Sequence, residues 1–196
     1  RDKIYYSSMG KIKKDFRFKV VDNFLSEEEI ILLKNYSIIK HRINDDMFEN
    51  DTVINPVAEF YLYGDPTFDS LLLSKLKLME KETQTNLLPC NSYWRMYTYG
   101  SVLPIHTDRP SCEISVTVCI GGDKDWPFIV EGVPYVLKPG SAIIYLGTEL
   151  QHSRKPYDGD WHSQVFLHYV DAYGKYKDEY KDGRQFFGTG GRREED

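Results

Sequence analysis

His106 and Asp108 stand two residues apart in the run LPIHTDRP, and His152 follows 46 positions later (152 minus 106). On an extended strand, residues i and i+2 project to one face, so an imidazole and a carboxylate at this spacing can meet at one ion. Two histidines and one carboxylate leave about three positions open on a six-coordinate metal, the donor set suited to a non-haem Fe(II) that must admit other ligands. His106, Asp108 and His152 are therefore the candidate catalytic metal ligands. No Gly-rich phosphate cradle accompanies them, and Ser92 and Ser115 have no neighbours in sequence that would make a nucleophile of either.

Something must bring His152 back beside His106, and the segments between them say what. From Ser92 onward the chain breaks into short apolar runs at about 92–99, 102–107, 113–120, 127–130, 133–138, 141–146 and 163–170, with Gly or Pro in most gaps. Many short strands so punctuated predict a barrel or sandwich, and a separation of this length suits antiparallel strands of a jelly roll. GGDKDW at 121–126 reads as a hairpin turn.

The amino-terminal half differs. FRFKVVD at 16–22 alternates like a strand, and Ser26 with Glu29 has the spacing of a capping box ahead of Ile30, Leu33 and Tyr36, which predicts a helix over about 26–37. A second helix is predicted from Thr67, where Phe68, Leu71, Leu72, Leu76 and Met79 recur at helical spacing behind Gly64-Asp65-Pro66. Residues 40–62 are ambiguous apart from a short strand near 57–62. The expected fold class is mainly β with flanking α-helices: a jelly roll, or cupin-like barrel. One domain is expected over 1–174, with helical support at 26–82 and the barrel at about 92–170. Beyond it the charged, glycine-rich 175–196 predicts a mobile polar tail.

Three segments together resemble a known family. YWRMYTYGSVLPIHTDRPSCEISVTVCIGG is similar to the iron-ligand region of the prolyl-4-hydroxylase-like Fe(II)/2-oxoglutarate-dependent dioxygenases. VLKPGSAIIYLGTELQHSR resembles their turn, strand and distal histidine, and QVFLHYVDAYG their closing strand; VVDNFLSEEE is a looser match to the lead-in of their first helix. The resemblance implies a double-stranded β-helix that couples decarboxylation of 2-oxoglutarate to succinate with insertion of one oxygen atom into a C–H bond. It implies Fe(II), 2-oxoglutarate and dioxygen, with ascorbate as an accessory reductant, and most readily a prolyl-hydroxylase-type reaction on a peptide or protein. A small-molecule or amino-acid hydroxylase on the same barrel is the neighbouring expectation.

In relatives a tyrosine three residues before the glycine of the preceding strand helps to hold 2-oxoglutarate, which falls on Tyr97 ahead of Gly100. Arg95 shares its strand face by two-residue alternation. Relatives also place an arginine or lysine about ten residues beyond the distal histidine, where this chain has Trp161, His162 and Ser163. Either His162 substitutes for it, or the charge comes from Arg154 or Arg95, whose planar fork suits a carboxylate. The departure keeps open a cupin-like metal protein that does not use 2-oxoglutarate. A silent binding module is the third class, and the intact His106, Asp108 and His152 set argues against it.

Of the other residues, Arg109 is expected to pair with Glu113 or another acid, or to meet substrate. Trp126, Phe128 and Tyr135 are expected in the core or along a substrate groove, and His168 in the core with a local partner.

Composition limits the rest. The chain has 196 residues and 41% hydrophobic content, enough for the core of one domain. Its net charge of -5 and pI near 5.6 offer no general attraction to nucleic acid or to anionic membranes. No apolar run approaches the roughly 18–20 residues of a bilayer span, and no signal-peptide stretch opens the sequence, so a soluble, intracellular (cytoplasmic) protein is expected. Cys90, Cys112 and Cys119, three in number and without CxxC spacing, predict reduced thiols.

Overall fold

A computed structural model describes residues 15–43 and 60–190. The strands are β1 (Phe18–Val21), β2 (Phe60–Tyr63), β3 (Leu87–Tyr97), β4 (Leu103–His106), β5 (Ile114–Gly122), β6 (Phe128–Val130), β7 (Val133–Tyr135), β8 (Ala142–Leu146), β9 (His152–Arg154) and β10 (His162–Asp171). The helices are α1 (Glu27–Ile43), α2 (Pro66–Ser74) and α3 (Leu76–Thr83). Two antiparallel sheets face each other, one of six strands in the order β1-β8-β5-β10-β3-β2 and one of four in the order β4-β9-β6-β7. This is the jelly roll expected from the strand spacing.

Local chemistry sets the helix boundaries. Ser26 and Glu29 form the reciprocal capping box, with the Ser26 N–H on Glu29 Oε2 at 2.8 Å and the Glu29 N–H on Ser26 Oγ at 3.2 Å. The helix it starts runs six residues past the predicted end, to Ile43 (43 minus 37). The predicted second helix divides at Lys75 into α2 and α3; α2 is capped by the Asp65 carboxylate, which accepts from the Thr67 and Phe68 amides, with Pro66 at its first turn. All three thiols are free and buried.

The helices cover the outer face of the large sheet. The Phe68 ring stacks on Trp94 at 5.7 Å, and the Tyr169 hydroxyl donates to the Leu72 carbonyl at 2.7 Å. Trp94 and Met96 of β3, Val165 and Leu167 of β10 and Val116 and Val118 of β5 belong to this buried layer. Strand alternation then turns Tyr93, Arg95 and Tyr97, with His162, Gln164, Phe166 and His168, toward the barrel interior. The outer layer is apolar because it meets helices, whereas the inner layer is polar and aromatic.

Three expectations change. GGDKDW joins β5 of the large sheet to β6 of the small one, so it is a crossing connection; the tight hairpin lies instead between β6 and β7, at Glu131-Gly132. Both of its loop residues have positive φ, 50° and 80°, as a two-residue turn of this kind requires. His152 does not merely follow a strand but opens one, β9, whose three residues are too few for a periodic signal.

The third change concerns the tail. Through Gly190 the polar carboxy-terminal segment packs on the body, because its charges find buried partners. Arg184 pairs with Asp69 at 2.8 Å, both side chains nearly inaccessible, and donates to the Cys90 carbonyl at 3.1 Å. Asp182, 1% exposed, receives Arg109 and Tyr63. Lys181 and Asp182 take left-handed φ values of 60° and 54°, a strain held by these contacts. Residues 191–196 of the predicted tail lie outside the described residues, as do 57–59 of the predicted strand near 57–62.

Among the described residues no helix is long and apolar enough to cross a membrane.

Candidate active site

β4 and β9 lie side by side in the small sheet with His106 directly opposite His152. That register puts the imidazoles together, with ring centroids 4.2 Å apart. Asp108 arrives differently from the two-residue alternation expected of it. β4 ends at His106, and the Asp108 N–H donates to the Gly147 carbonyl at 2.8 Å, which takes the chain out of the β4–β9 ladder. Its carboxylate still reaches both rings: Oδ1 lies 3.5 Å from His106 Nε2 and 3.3 Å from His152 Nε2. Gly147 makes room for this approach, since a Cβ there would fall 2.3 Å from Asp108 Oδ2 and from the Cys112 carbonyl.

These three side chains form a group whose ligand atoms all lie within 4.8 Å of one another. The two separations to Oδ1 are shorter than twice a metal–ligand bond of about 2.1 Å, so the atoms can share one ion. The histidine tautomers also suit a metal. Nδ1 of His106 lies 2.8 Å from the Pro104 carbonyl, and Nδ1 of His152 lies 2.9 Å from the Leu150 carbonyl. A carbonyl only accepts, so each Nδ1 carries the proton and each Nε2 presents a lone pair. Burial opposes the charge on Asp108, but the polar contact with the two imidazoles outweighs it and holds the carboxyl far below its usual range; a cation shared at Oδ1 and the two Nε2 lone pairs would take the place of the proton between them. The donor set therefore fits a divalent transition metal bound by neutral imidazoles and an ionised carboxylate.

The other carboxylate oxygen is held by the large sheet. Ser115 Oγ lies 2.9 Å from Asp108 Oδ2 and 2.9 Å from His168 Nδ1. Burial lowers the His168 pKa to about 4, so the ring is neutral near pH 7. Ser115 has one proton; with it on the carboxylate, the hydroxyl oxygen accepts from His168 Nδ1–H. His168 thus has the local partner expected of it, and the chain His168–Ser115–Asp108 leaves Oδ1 for the metal. Ser115→Ala should weaken Ni(II) binding by about 10- to 100-fold in calorimetry, with Ser115→Thr close to wild type. Equal affinities for wild type and Ser115→Ala would refute this orienting role.

A cavity of about 280 Å³ opens onto the three ligands, lined also by Tyr63, Asn91, Tyr93, Arg95, Tyr97, Arg109, Tyr145, Phe166 and His168. Arg95 and Tyr97, two of the predicted co-substrate residues, thus share its wall, and the Arg95 guanidinium lies 5.1 Å from the Tyr97 ring centre. Trp126 and Phe128 are buried next to it without lining it, and Tyr135 lies on the small sheet's edge strand, so these aromatics take the core reading rather than the groove. Tyr63, Asn91, Tyr93, Tyr145 and Phe166 were not singled out by sequence; alternation along β3 from Tyr97 back through Arg95 and Tyr93 is the signal that leads to Asn91.

Arg154, also predicted, lies just behind this wall. Its guanidinium stacks 4.5 Å from the Trp126 ring centre and gives one bond, Nη1 to the Trp126 carbonyl at 2.6 Å. Nε and Nη2 are buried without a hydrogen-bond partner, and among the described residues no carboxylate pairs with it. Burial lowers its pKa only to about 10, so it remains a cation.

His162 lies opposite Tyr97 in the β3–β10 register. Its Nε2 donates to Gln164 Oε1 at 2.7 Å, and Gln164 Nε2 donates to Thr117 Oγ1 at 2.6 Å. Burial, then the neighbouring Arg154, lowers the His162 pKa to about 3, so it does not replace the missing cation. The unfolded chain protonates this histidine below about pH 6.5, while the native ring stays neutral until near 3. Its contribution to stability is thus full above pH 6.5 and falls with pH below that, by up to about 1.4 kcal/mol per unit. Between pH 7 and 5 the wild type should lose about 2 kcal/mol more than His162→Phe in urea unfolding. Equal losses would show that His162 is not a buried neutral ring.

Arg109 pairs with an acid, as expected, but with Asp182 rather than Glu113, and it also lines the cavity. Its Nη1 donates to Asp182 Oδ1 at 2.6 Å, with Nη2 on Oδ2 and the Tyr63 hydroxyl on the same carboxylate. Sequence reasoning did not single out Asp182, since its partners are 73 and 119 residues away.

No family model and no curated protein matches the sequence. Solved structures do match the fold. A prolyl-4-hydroxylase from Pseudomonas putida superposes with a TM-score of 0.58 at 15% identity, over 77% of this chain and 91% of that one. HygX from Streptomyces hygroscopicus, solved with nickel and 2-oxoglutarate bound, gives 0.62 at 13% identity, over 80% and 83%. SnoN, a non-heme alpha ketoglutarate dependent epimerase from nogalamycin biosynthesis, gives 0.62 at 12%, over 79% and 78%. The chain has the double-stranded β-helix fold of the 2-oxoglutarate- and Fe(II)-dependent enzymes.

Proposed function

We propose that the protein is an Fe(II)- and 2-oxoglutarate-dependent oxygenase that hydroxylates a C–H bond, with His106, Asp108 and His152 as metal ligands. The observation that carries this reading is the convergence of His106 Nε2, Asp108 Oδ1 and His152 Nε2 at a cavity wall that also contains Arg95 and Tyr97. Bound Fe(II) supplies the redox chemistry with dioxygen that no side chain here can perform. In balance, one oxygen atom of O2 enters succinate as CO2 leaves, and the other enters the C–H bond.

The chain's own residues bind and orient. Tyr97 and Arg154 hold the far carboxylate of 2-oxoglutarate at the inner end of the cavity, with Arg95 on the wall. The support for Arg154 is physical: a buried cation with two unused donors and no carboxylate is costly unless an anion arrives. His162 takes a neutral place beside Tyr97. Dioxygen is the oxidant, and ascorbate keeps the iron ferrous.

For the substrate, the resemblance favours a prolyl-hydroxylase-type reaction on a peptide or protein. The cavity, at the small end of ligand pockets, suits one side chain or a small molecule. Succinate release from 2-oxoglutarate that requires both Fe(II) and O2 is the expected result. Tight metal binding without any 2-oxoglutarate binding or turnover would favour the cupin-like alternative instead.

A further inference from the structure

The register places four inward-facing residues in one row across the large sheet: Asn91 on β3 opposite His168 on β10, His168 opposite Ser115 on β5, and Ser115 opposite Tyr145 on β8. Asp108 hangs from this row through Ser115. Neighbouring strands are about 4.8 Å apart, so Asn91 stands about 10 Å from the strand that steadies the metal ligand. It is also six residues, about 20 Å of strand, from Tyr97, the last residue of β3. Tyr97, the proposed co-substrate anchor on this strand, and Asn91 therefore stand well apart along one cavity wall.

Within the row, Ser115 and His168 hydrogen-bond to one another and to Asp108. Asn91 differs. Its side chain lines the cavity and is 2% exposed, and Nδ2 has no hydrogen-bond partner among the described residues. A buried amide donor left unmatched is destabilising, and native proteins keep few of them. The charges nearby are already cancelled, because Asp182 takes both Arg109 and Tyr63. The open group at this end is thus a neutral donor in neutral surroundings, which fits a neutral carbonyl acceptor better than a carboxylate.

We propose that Asn91 is a specificity-determining residue that donates from Nδ2 to an uncharged amide carbonyl of the substrate, so that the group entering the cavity is a single amino-acid-sized unit with its carboxyl blocked. The proposal rests on the oxygenase reading and adds to it the polarity of the substrate beside the metal. Arg109 and Tyr63 line the same cavity, and both are engaged by the Asp182 carboxylate behind them.

The test uses the full chain with Fe(II), 2-oxoglutarate and air, and two probe sets: the twenty free L-amino acids and the same residues as N-acetyl amides. Succinate release is followed with each. The expected result is that at least one capped residue raises the rate about fivefold or more over that without probe, and outperforms its free form. Asn91→Ala then raises the KM for that probe about tenfold or more, with kcat changed less than about threefold. Asn91→Asp, nearly isosteric but without the donor, should do the same, which guards against a variant that fails to fold. An unchanged KM in a folded variant, better stimulation by the free amino acids, or no stimulation by any probe would overturn the proposal. Failure of the Ni(II)-loaded wild type to bind 2-oxoglutarate in calorimetry would instead sink the oxygenase reading beneath it.

Discussion

His106→Ala and Asp108→Ala should each lower Ni(II) and Fe(II) affinity by more than about 100-fold, beyond the usual effect of removing a supporting residue, and stop succinate release. Each ligand supplies one of three protein bonds to the ion, and nothing nearby replaces it: among the described residues no other His, Cys, Asp or Glu joins the group. The fold should survive. The His106 side chain is a third exposed, and once Asp108 is removed the Ser115 hydroxyl can donate instead to the Cys112 carbonyl, 3.0 Å away. Calorimetric titration with Ni(II), with thermal unfolding as the control, checks both points. Wild-type affinity in either variant would refute the ligand assignment.

Arg154→Met should raise the 2-oxoglutarate KM by about 10- to 150-fold, the worth of a charged hydrogen bond of about 1.5–3 kcal/mol. The same substitution should leave stability unchanged or increase it. Methionine fills the slot beside Trp126 and Phe128, and the fold no longer bears a buried cation without a counter-ion. The cost is one bond to the Trp126 carbonyl. These opposite signs separate a binding role from a structural one, because a residue kept for packing would lose stability and leave the KM alone. Arg95→Met provides the comparison: an effect on KM confined to Arg95 would move the anchor to the cavity wall.

The candidate metal site was legible because its signal is local. HxD, a barrel-length gap and a second histidine are visible in a string, although the carboxylate comes into place through the Gly147 carbonyl rather than through strand alternation. The fold was legible for a related reason, since turn residues mark strand ends even where a strand has three residues. What the string hid was the partner of each charge. Arg154 and His162 both stood as candidate cations, and burial separates them: a guanidinium keeps its proton in the barrel and an imidazole does not. Asp182 and Arg184 looked like solvated tail charges because Arg109, Tyr63 and Asp69 are distant in sequence. Asn91 showed nothing unusual until its strand face and its idle donor were seen together.

The Asp182 latch gives the molecule a division of labour. The proposed metal ligands stand on two paired strands and the turn after β4, while one wall of the cavity is secured by a strap that crosses from the carboxy-terminal segment to Arg109 and Tyr63. The strap anchors on Arg109 and Tyr63, which line the cavity, rather than through the proposed ligands, so substitutions along 177–190 are expected to alter what enters more than the ligand group itself. In a protein arranged this way, a change of diet and a change of chemistry are separate mutational events.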